Sequence, residues 1–209
     1  MERKGKFITF EGCDGCGKST QLRLLSEYLT ENGLAHIFTR EPGGGKISEA
    51  IRGILLNGKN SEMTDECEAL LYAASRAQHL RDRVQPALEK GELVICDRYV
   101  DSSFAYQAYA RGLGMEFVQK INHFALDQFS PDVTIFIDLT PEEAFARKHG
   151  AEENDRMEQA GIAFHKRVYE GYKAVAEAYP NRVVCVNGRK TPQEIFKDVI
   201  QALQEKGCL

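Results

Sequence analysis

The stretch that decides the fold is Lys6-Phe7-Ile8-Thr9-Phe10-Glu11-Gly12-Cys13-Asp14-Gly15-Cys16-Gly17-Lys18-Ser19. It opens as a short β-rich run from Lys6 to Glu11 and passes directly into glycines. After them Leu22, Leu25 and Leu29 recur at helical spacing, and Gly33 is placed to end the helix. Gly12 to Ser19 fits G-x-x-x-x-G-K-[ST] in full, between a strand and a helix, which is the context that gives this motif its meaning. Glycines let the backbone turn so that successive N–H groups face phosphate oxygens, and the following helix adds the positive end of its dipole. In such a loop Lys18 reaches the outer phosphates and Ser19 can hold Mg²⁺. The motif predicts that Gly12, Cys13, Asp14, Gly15, Cys16, Gly17, Lys18, Ser19 and Thr20 bind a nucleoside triphosphate.

The strand–glycine–helix unit is the first of several. Strands are predicted at Ala35–Thr39, Leu93–Cys96, Val133–Ile137 and Val183–Val186, the third and fourth of the five being continuous apolar runs suited to burial on both faces. Helices are predicted between them: Ile47 to about Gly58, Asp65–Lys90 with a break or kink at Pro86, Ser102–Ala110, Glu116–Gln128 and Glu158–Tyr179. Thr140-Pro141-Glu142-Glu143 and Thr191-Pro192-Gln193-Glu194 each combine an N-cap, a proline at the first helical position and a capping-box glutamate. Strands alternating with helices make an α/β fold with a mostly parallel sheet.

The chain has 209 residues, with 43% hydrophobic and 28% charged residues. This suits a single compact domain carrying a lid or insertion, with a core large enough to need no disulfide. A net charge of −4 argues against a general nucleic-acid binder. No apolar run is long enough for a membrane span or a signal peptide, so a cytoplasmic protein is expected. The six cysteines are then free thiols, including the C-x-x-C pair Cys13 and Cys16. That pair could be half a zinc or redox site, but no second pair or suitably spaced histidine completes it.

Among enzymes with such a loop, a GTPase switch would need N-K-x-D or T-K-x-D, and neither occurs. A small kinase remains. The apolar run into Asp97 has the form of a strand that delivers a carboxylate to Mg²⁺, although Asp138 has the same form. Arg98, just beyond that strand, can grip a second phosphate with a bidentate fork.

At this point the sequence resembles the thymidylate kinase family along essentially its whole length. The markers are Phe10-Glu11-Gly12, Thr39-Arg40-Glu41-Pro42-Gly43-Gly44, Leu71-Tyr72-Ala73-Ala74-Ser75-Arg76, Asp97-Arg98-Tyr99 through Gln107, and Asp155-Arg156-Met157-Glu158. The resemblance implies a five-stranded parallel sheet of the nucleoside monophosphate kinase type, transfer from ATP to dTMP with Mg²⁺, and a homodimer. It implies that Asp14 organises the acceptor near the sugar, that Arg40 and Arg98 hold the dTMP phosphate, and that Arg52 lies against the acceptor pocket. Tyr72 would stack on thymine and Arg76 donate to its O4. Ser103 and Gln107 would bond the base, and Tyr106 would pack on the deoxyribose and exclude a 2′-hydroxyl. Ser19 and Asp97 would be the metal residues. Gly15 stands where one subclass carries an arginine, which moves the catalytic cation to a lid at about 147–158. Arg147, Lys148 and Arg156 are the candidates there, with Arg156 assigned to catalysis and Arg147 to ATP. Asn187-Gly188-Arg189-Lys190 is a candidate adenine loop.

Plainer roles compete with these. Tyr72 and Tyr106 could be ordinary core aromatics, Arg98 an ion-pair partner, and the charges at Glu152, Glu153 and Asp155 a solvated loop. Tyr169, Tyr172 and Tyr179 read as helix packing. A kinase for another nucleotide or nucleoside, or a non-catalytic nucleotide-binding protein, are the alternative functions.

Overall fold

The structure is a computed structural model that describes residues 4–147, 156–157 and 160–209. Most of the expected lid, including Lys148, Glu152, Glu153, Asp155 and Glu158, lies outside the described residues. In chain order the elements are β1 (Phe7–Glu11), α1 (Lys18–Glu31), β2 (His36–Arg40), α2 (Lys46–Leu56), α3 (Asp65–His79), α4 (Gln85–Lys90), β3 (Leu93–Asp97), α5 (Val100–Ser103), α6 (Met115–Ile121), α7 (His123–Gln128), β4 (Val133–Asp138), α8 (Pro141–Arg147), α9 (Ile162–Ala178), β5 (Val183–Asn187) and α10 (Pro192–Glu205).

The five strands form one parallel sheet in the order β2-β3-β1-β4-β5. Thus β1 is central, paired with β3 on one side and β4 on the other. All five of its residues are buried, and they alternate between two apolar layers. Phe7 joins Cys96, Phe104, Phe136 and Tyr172 on one face. Ile8 and Phe10 join Leu25 and Leu29 of α1 and Val199 and Leu203 of α10 on the other. The polar positions inside are satisfied in a chain. Thr9 and Thr134 share a hydrogen bond of 2.7 Å across β1 and β4. Thr134 donates to Asp101 at 2.9 Å, and Arg182 closes on both Asp101 oxygens at 2.6 and 2.8 Å. A buried carboxylate lacking that fork would be a large uncompensated charge.

The predicted helix starts are present. Thr191 and Glu194 form a reciprocal capping box, Thr140 and Glu143 bond in the same way, and Leu34 N–H reaches Leu29 C=O past Gly33 at φ 66°. Three predicted helices differ from expectation. The one over Asp65–Lys90 passes through a wide π-helical turn at Leu80–Val84, where Gln85 N–H bonds Leu80 C=O, so the ring of Pro86 is accommodated without ending the helix. The helix predicted over Glu116–Gln128 breaks at Asn122. That buried side chain donates to Val118 C=O and accepts from Arg76, competing with the backbone ladder. The helix over 102–110 starts at Val100 and widens to a π-helical segment at Phe104–Ala110.

This widened segment packs against α9 at Gly171. A Cβ there would stand 2.8 Å from Ala105 Cα and 2.9 Å from Ala105 O, both backbone atoms. The close approach brings the neighbouring Tyr172 beneath the site. Gly171→Ala should therefore cost about 1–3 kcal/mol, seen as a lower melting temperature, although alanine is the better helix former.

Candidate functional site

The carboxyl ends of β1, β3 and β2 open on a cavity of about 360 Å³. A parallel sheet binds ligands at this end, where connections leave in opposite directions on either side of a strand. The loop between β1 and α1 forms one wall. Gly12 has φ 140°, and a Cβ there would lie 2.9 Å from Ile137 O and 2.8 Å from Cys16 Sγ, so only glycine fits. At the first residue of α1, buried Lys18 donates to Gly12 O at 2.9 Å and Cys13 O at 3.1 Å, folded back on its own loop. No side chain caps the N-terminus of this 14-residue helix, leaving its first N–H groups for an anion. Cys13 and Cys16 are buried, all six cysteines are free, and burial pushes the Cys13 thiol up to about 12. The described residues contain no cluster of three metal-ligating side chains. Both cysteines pack into the apolar layer that holds Ile8, Phe10 and Leu25.

The opposite wall carries the predicted acceptor residues. Arg40, Arg52, Tyr72, Arg76, Ser103, Tyr106 and Gln107 all border the cavity, as do Asp14, Lys18, Ser19, Thr20, Asp97 and Arg98. Arg98 adopts φ 65°, a left-handed conformation costly for any residue with a Cβ. Its N–H bonds Phe10 C=O at 2.9 Å, continuing the β1–β3 ladder, and its side chain turns across to the phosphate loop. Nη2 meets Asp14 Oδ1 at 2.5 Å and Nη1 donates to Tyr172 Oη at 2.7 Å. Burial raises the Asp14 carboxyl, but the Arg98 and Lys18 cations outweigh it and hold it well below the usual carboxylate range.

Three acceptor-side residues are braced by partners invisible in the sequence. Arg76, fully buried, donates to Glu41 at 2.8 Å, Ser103 Oγ at 3.1 Å and Asn122 Oδ1 at 2.6 Å. Its Nε and Nη1 make these bonds. Arg40 pairs with Glu49 at 2.9 Å, and Arg52 donates to Pro42 C=O at 2.8 Å. The Tyr106 ring lies under the Arg98 guanidinium, 5.5 Å from ring centroid to Cζ, and edge-on to Phe164 and Tyr172. Tyr106 is thus both packed and at the cavity wall.

The lid candidates separate. Arg147 donates to Gly188 C=O at 2.9 Å, within the candidate adenine loop. Arg156 is at the other end, donating to Leu55 C=O at 3.1 Å and to buried Glu68. Neither borders the cavity, although Met157 does.

Sequence reading missed Glu11 and Tyr172. Glu11 is fully buried and accepts from Tyr99 N–H at 2.7 Å, Ser102 Oγ at 2.6 Å and Tyr172 Oη at 2.9 Å. Because Tyr172 accepts from Arg98, Glu11 anchors the relay that holds the cavity-facing arginine. The available signal was a glutamate ending a buried, mostly apolar strand, which demands partners. Tyr172, expected to be mere packing, supplies one of them. Asp97 has one buried carboxylate oxygen, Oδ1, with no hydrogen-bond partner, close to the Ser19 wall. An orphaned carboxylate oxygen, on a residue that borders the same cavity as Ser19, suits a hard, oxygen-preferring cation such as Mg²⁺, which is typically held by one or two protein groups plus phosphates.

The sequence profile described as thymidylate kinase matches residues 10–199. The chain belongs to the thymidylate kinase family. It is 48% identical over 198 residues to the thymidylate kinase of Clostridium novyi (strain NT), covering 94% of this chain and 97% of that one. It is 48% identical over 202 residues to that of Thermoanaerobacter sp. (strain X514), covering 97% and 98%. It is 46% identical over 203 residues to that of Bacillus pumilus (strain SAFR-032), covering 96% of each. Membership accounts for the pairing of a phosphate loop with an arginine-rich acceptor wall, and makes the chain a nucleotide phosphotransferase. No helix among the described residues is long and apolar enough to cross a membrane.

Burial first, and then the Asp101 carboxylate, push the Glu11 carboxyl from 4.5 up to about 7, against the pull of Arg98. The folded chain then binds this proton more tightly than the unfolded chain. The contribution of Glu11 to stability is largest at low pH and declines as pH rises from about 4.5 through 7. Glu11→Gln removes this dependence. The melting temperature of the variant relative to the parent should climb with pH across that window, by the equivalent of roughly 3 kcal/mol. A constant difference would mean that Glu11 does not hold a proton in the fold.

Proposed function

We propose that the cavity holds dTMP against Arg40, Arg98 and Arg76 while the phosphate loop holds ATP, with transfer occurring directly between them. Phosphorylation of dTMP to dTDP, in the supply of dTTP, is the chain's activity. The observation that carries the site assignment is the Arg98–Asp14 bridge. It joins the wall that carries Arg98 to the phosphate loop, and in this reading the guanidinium lies between the two phosphates that must meet.

A dTMP phosphate oxygen attacks the γ-phosphorus of ATP in line. That oxygen is anionic near neutral pH, so the chain's work is positioning and charge neutralisation rather than base catalysis. Lys18 leaves its loop carbonyls for the transferring phosphates, a short movement because the acceptors it now bonds are backbone carbonyls of the same loop. Arg98 grips the acceptor phosphate, and Asp14 fixes the fork and faces the sugar. Tyr72 stacks on the base, Arg76 and Gln107 bond it, and Ser103 braces Arg76. Tyr106 closes off the sugar. Ser19 and Asp97 would hold Mg²⁺, which supplies charge neutralisation at the phosphates when bound. Arg147 serves the adenosine side beside Gly188, and Arg156 is the lid cation on the acceptor side. The protein works in the cytoplasm.

The chain also forms a homodimer in this reading. Ile47 and Ile54 of α2 and Leu70 of α3 are about half exposed on helices that pack together, and α2 and α3 also carry Arg52, Tyr72 and Arg76. A second copy would cover the apolar residues and stiffen the acceptor wall. Ile54→Glu should shift the sedimentation of the protein from dimer to monomer; a parent chain that sediments as a monomer would refute the assembly.

An ADP-release assay across nucleoside monophosphates tests the reaction itself, with dTMP expected to be the preferred acceptor. In the same assay Arg98→Lys should lower kcat/KM for dTMP by about 10²–10³-fold, because a point charge cannot reproduce the two-pronged grip. The KM for ATP should change little. Normal efficiency on dTMP would show that Arg98 is only structural.

A further inference from the structure

Glu68 has no part in the mechanism above, yet it joins three of its elements. It lies on α3 one turn before Tyr72 and two turns before Arg76, so the three side chains share one face of the helix. Its carboxylate is completely buried. Oε1 accepts from Gln107 Nε2 at 2.7 Å, and Oε2 accepts from Arg111 Nη2 at 2.9 Å and from Arg156 Nη2. Arg111 balances the charge, and its other nitrogen lies 3.3 Å from Asp65. Glu68 therefore connects the base-facing glutamine with the lid arginine through a single buried group.

The consequence for Gln107 follows from what a carboxylate can do. It accepts hydrogen bonds and does not donate them. The amide nitrogen of Gln107 must then face Glu68, and the carbonyl must face away from it. Gln107 borders the cavity, so the amide offers a ligand an acceptor rather than a donor. Thymine presents N3–H as a donor next to the O4 acceptor. Cytosine presents the reverse, an N3 acceptor next to an amino donor. An acceptor at Gln107 and a donor at Arg76 match thymine at both positions and oppose cytosine at both. A glutamine free to flip could serve either base, and discrimination by hydrogen bonding is strong only when the unmatched groups cannot rearrange.

The geometry points to Glu68 as the positioning residue that locks the Gln107 amide in its acceptor orientation, makes the pocket select a base with N3–H, and ties the lid arginine to the same carboxylate. This rests on the dTMP reading of the cavity.

The test compares kcat/KM for dTMP and dCMP in the purified parent and in Glu68→Gln, Gln107→Leu, the double variant and Arg111→Met. Glu68→Gln keeps the shape but gives Gln107 a partner that can donate as well as accept. It should lower the dTMP/dCMP efficiency ratio at least tenfold. Gln107→Leu should lower it too, and adding Glu68→Gln to Gln107→Leu should lower it no further, since the two act as one unit. Arg111→Met should cost stability but leave the ratio unchanged, which separates orientation from loss of packing. If Glu68→Gln does not melt cooperatively, Glu68→Asp replaces it: the shorter carboxylate no longer reaches Gln107, and the same fall is expected. A ratio within twofold of the parent in the folded Glu68 variant overturns the proposal, as does a further fall in the double variant. A parent chain that does not prefer dTMP to dCMP overturns the dTMP reading instead.

Discussion

The pairing of β1 with β3 is the contact on which the site depends. Phe10 stands opposite Asp97, and the next residue, Arg98, bonds back to Phe10 through its own backbone N–H. That single register fixes where β1 hands over to the phosphate loop and where β3 releases an arginine. A shift of one residue would turn Arg98 to the other face of the sheet. The strained left-handed backbone at Arg98 is tolerated because four partners hold it: Phe10 at the main chain, and Asp14, Tyr172 and Ser102 at the side chain.

Two buried glutamates stand behind the two halves of the acceptor wall. Glu11 lies under Arg98, reached through Tyr172, and Glu68 lies under Gln107 and Arg156, which bond it directly. A third, Glu41, holds Arg76 on one oxygen and His79 on the other. In each case a polar side chain at the cavity wall is made rigid by a buried carboxyl group behind it, so little orientational freedom remains to be lost on binding. The cost is several charges inside a small fold, met by close pairing and not by exposure to water.

The phosphate-loop motif and the alternation of strands with helices were legible in the sequence because their signals are contiguous, and the residues expected at the acceptor side border one cavity. Gly12 to Ser19 is one octapeptide, and Tyr72 and Arg76 share a helix face by spacing alone. Glu11 and Tyr172 were not legible as a pair: they are 161 positions apart, and nothing local to Tyr172 distinguishes it from a packing aromatic. Glu68 carried a faint signal, being one helical turn before Tyr72, but its partners lie on other elements. The break at Asn122 escaped for the same reason, since it depends on an arginine 46 positions earlier. Contacts that join distant segments leave no periodicity to read.

The place of β1 in the middle of the sheet also bears on how the chain is made. Its apolar strand leaves the ribosome before either neighbour, and Thr9 waits for a partner 125 positions downstream at Thr134. At about 5–20 residues per second, that is roughly 6–25 s in which one edge of a strand destined for the middle of the sheet has no partner. Until β3 and β4 arrive, its unpaired edges are open to other chains. The nascent protein is thus most in need of chaperone cover between the synthesis of β1 and that of β4, over the strand that leads directly into the glycine-rich loop.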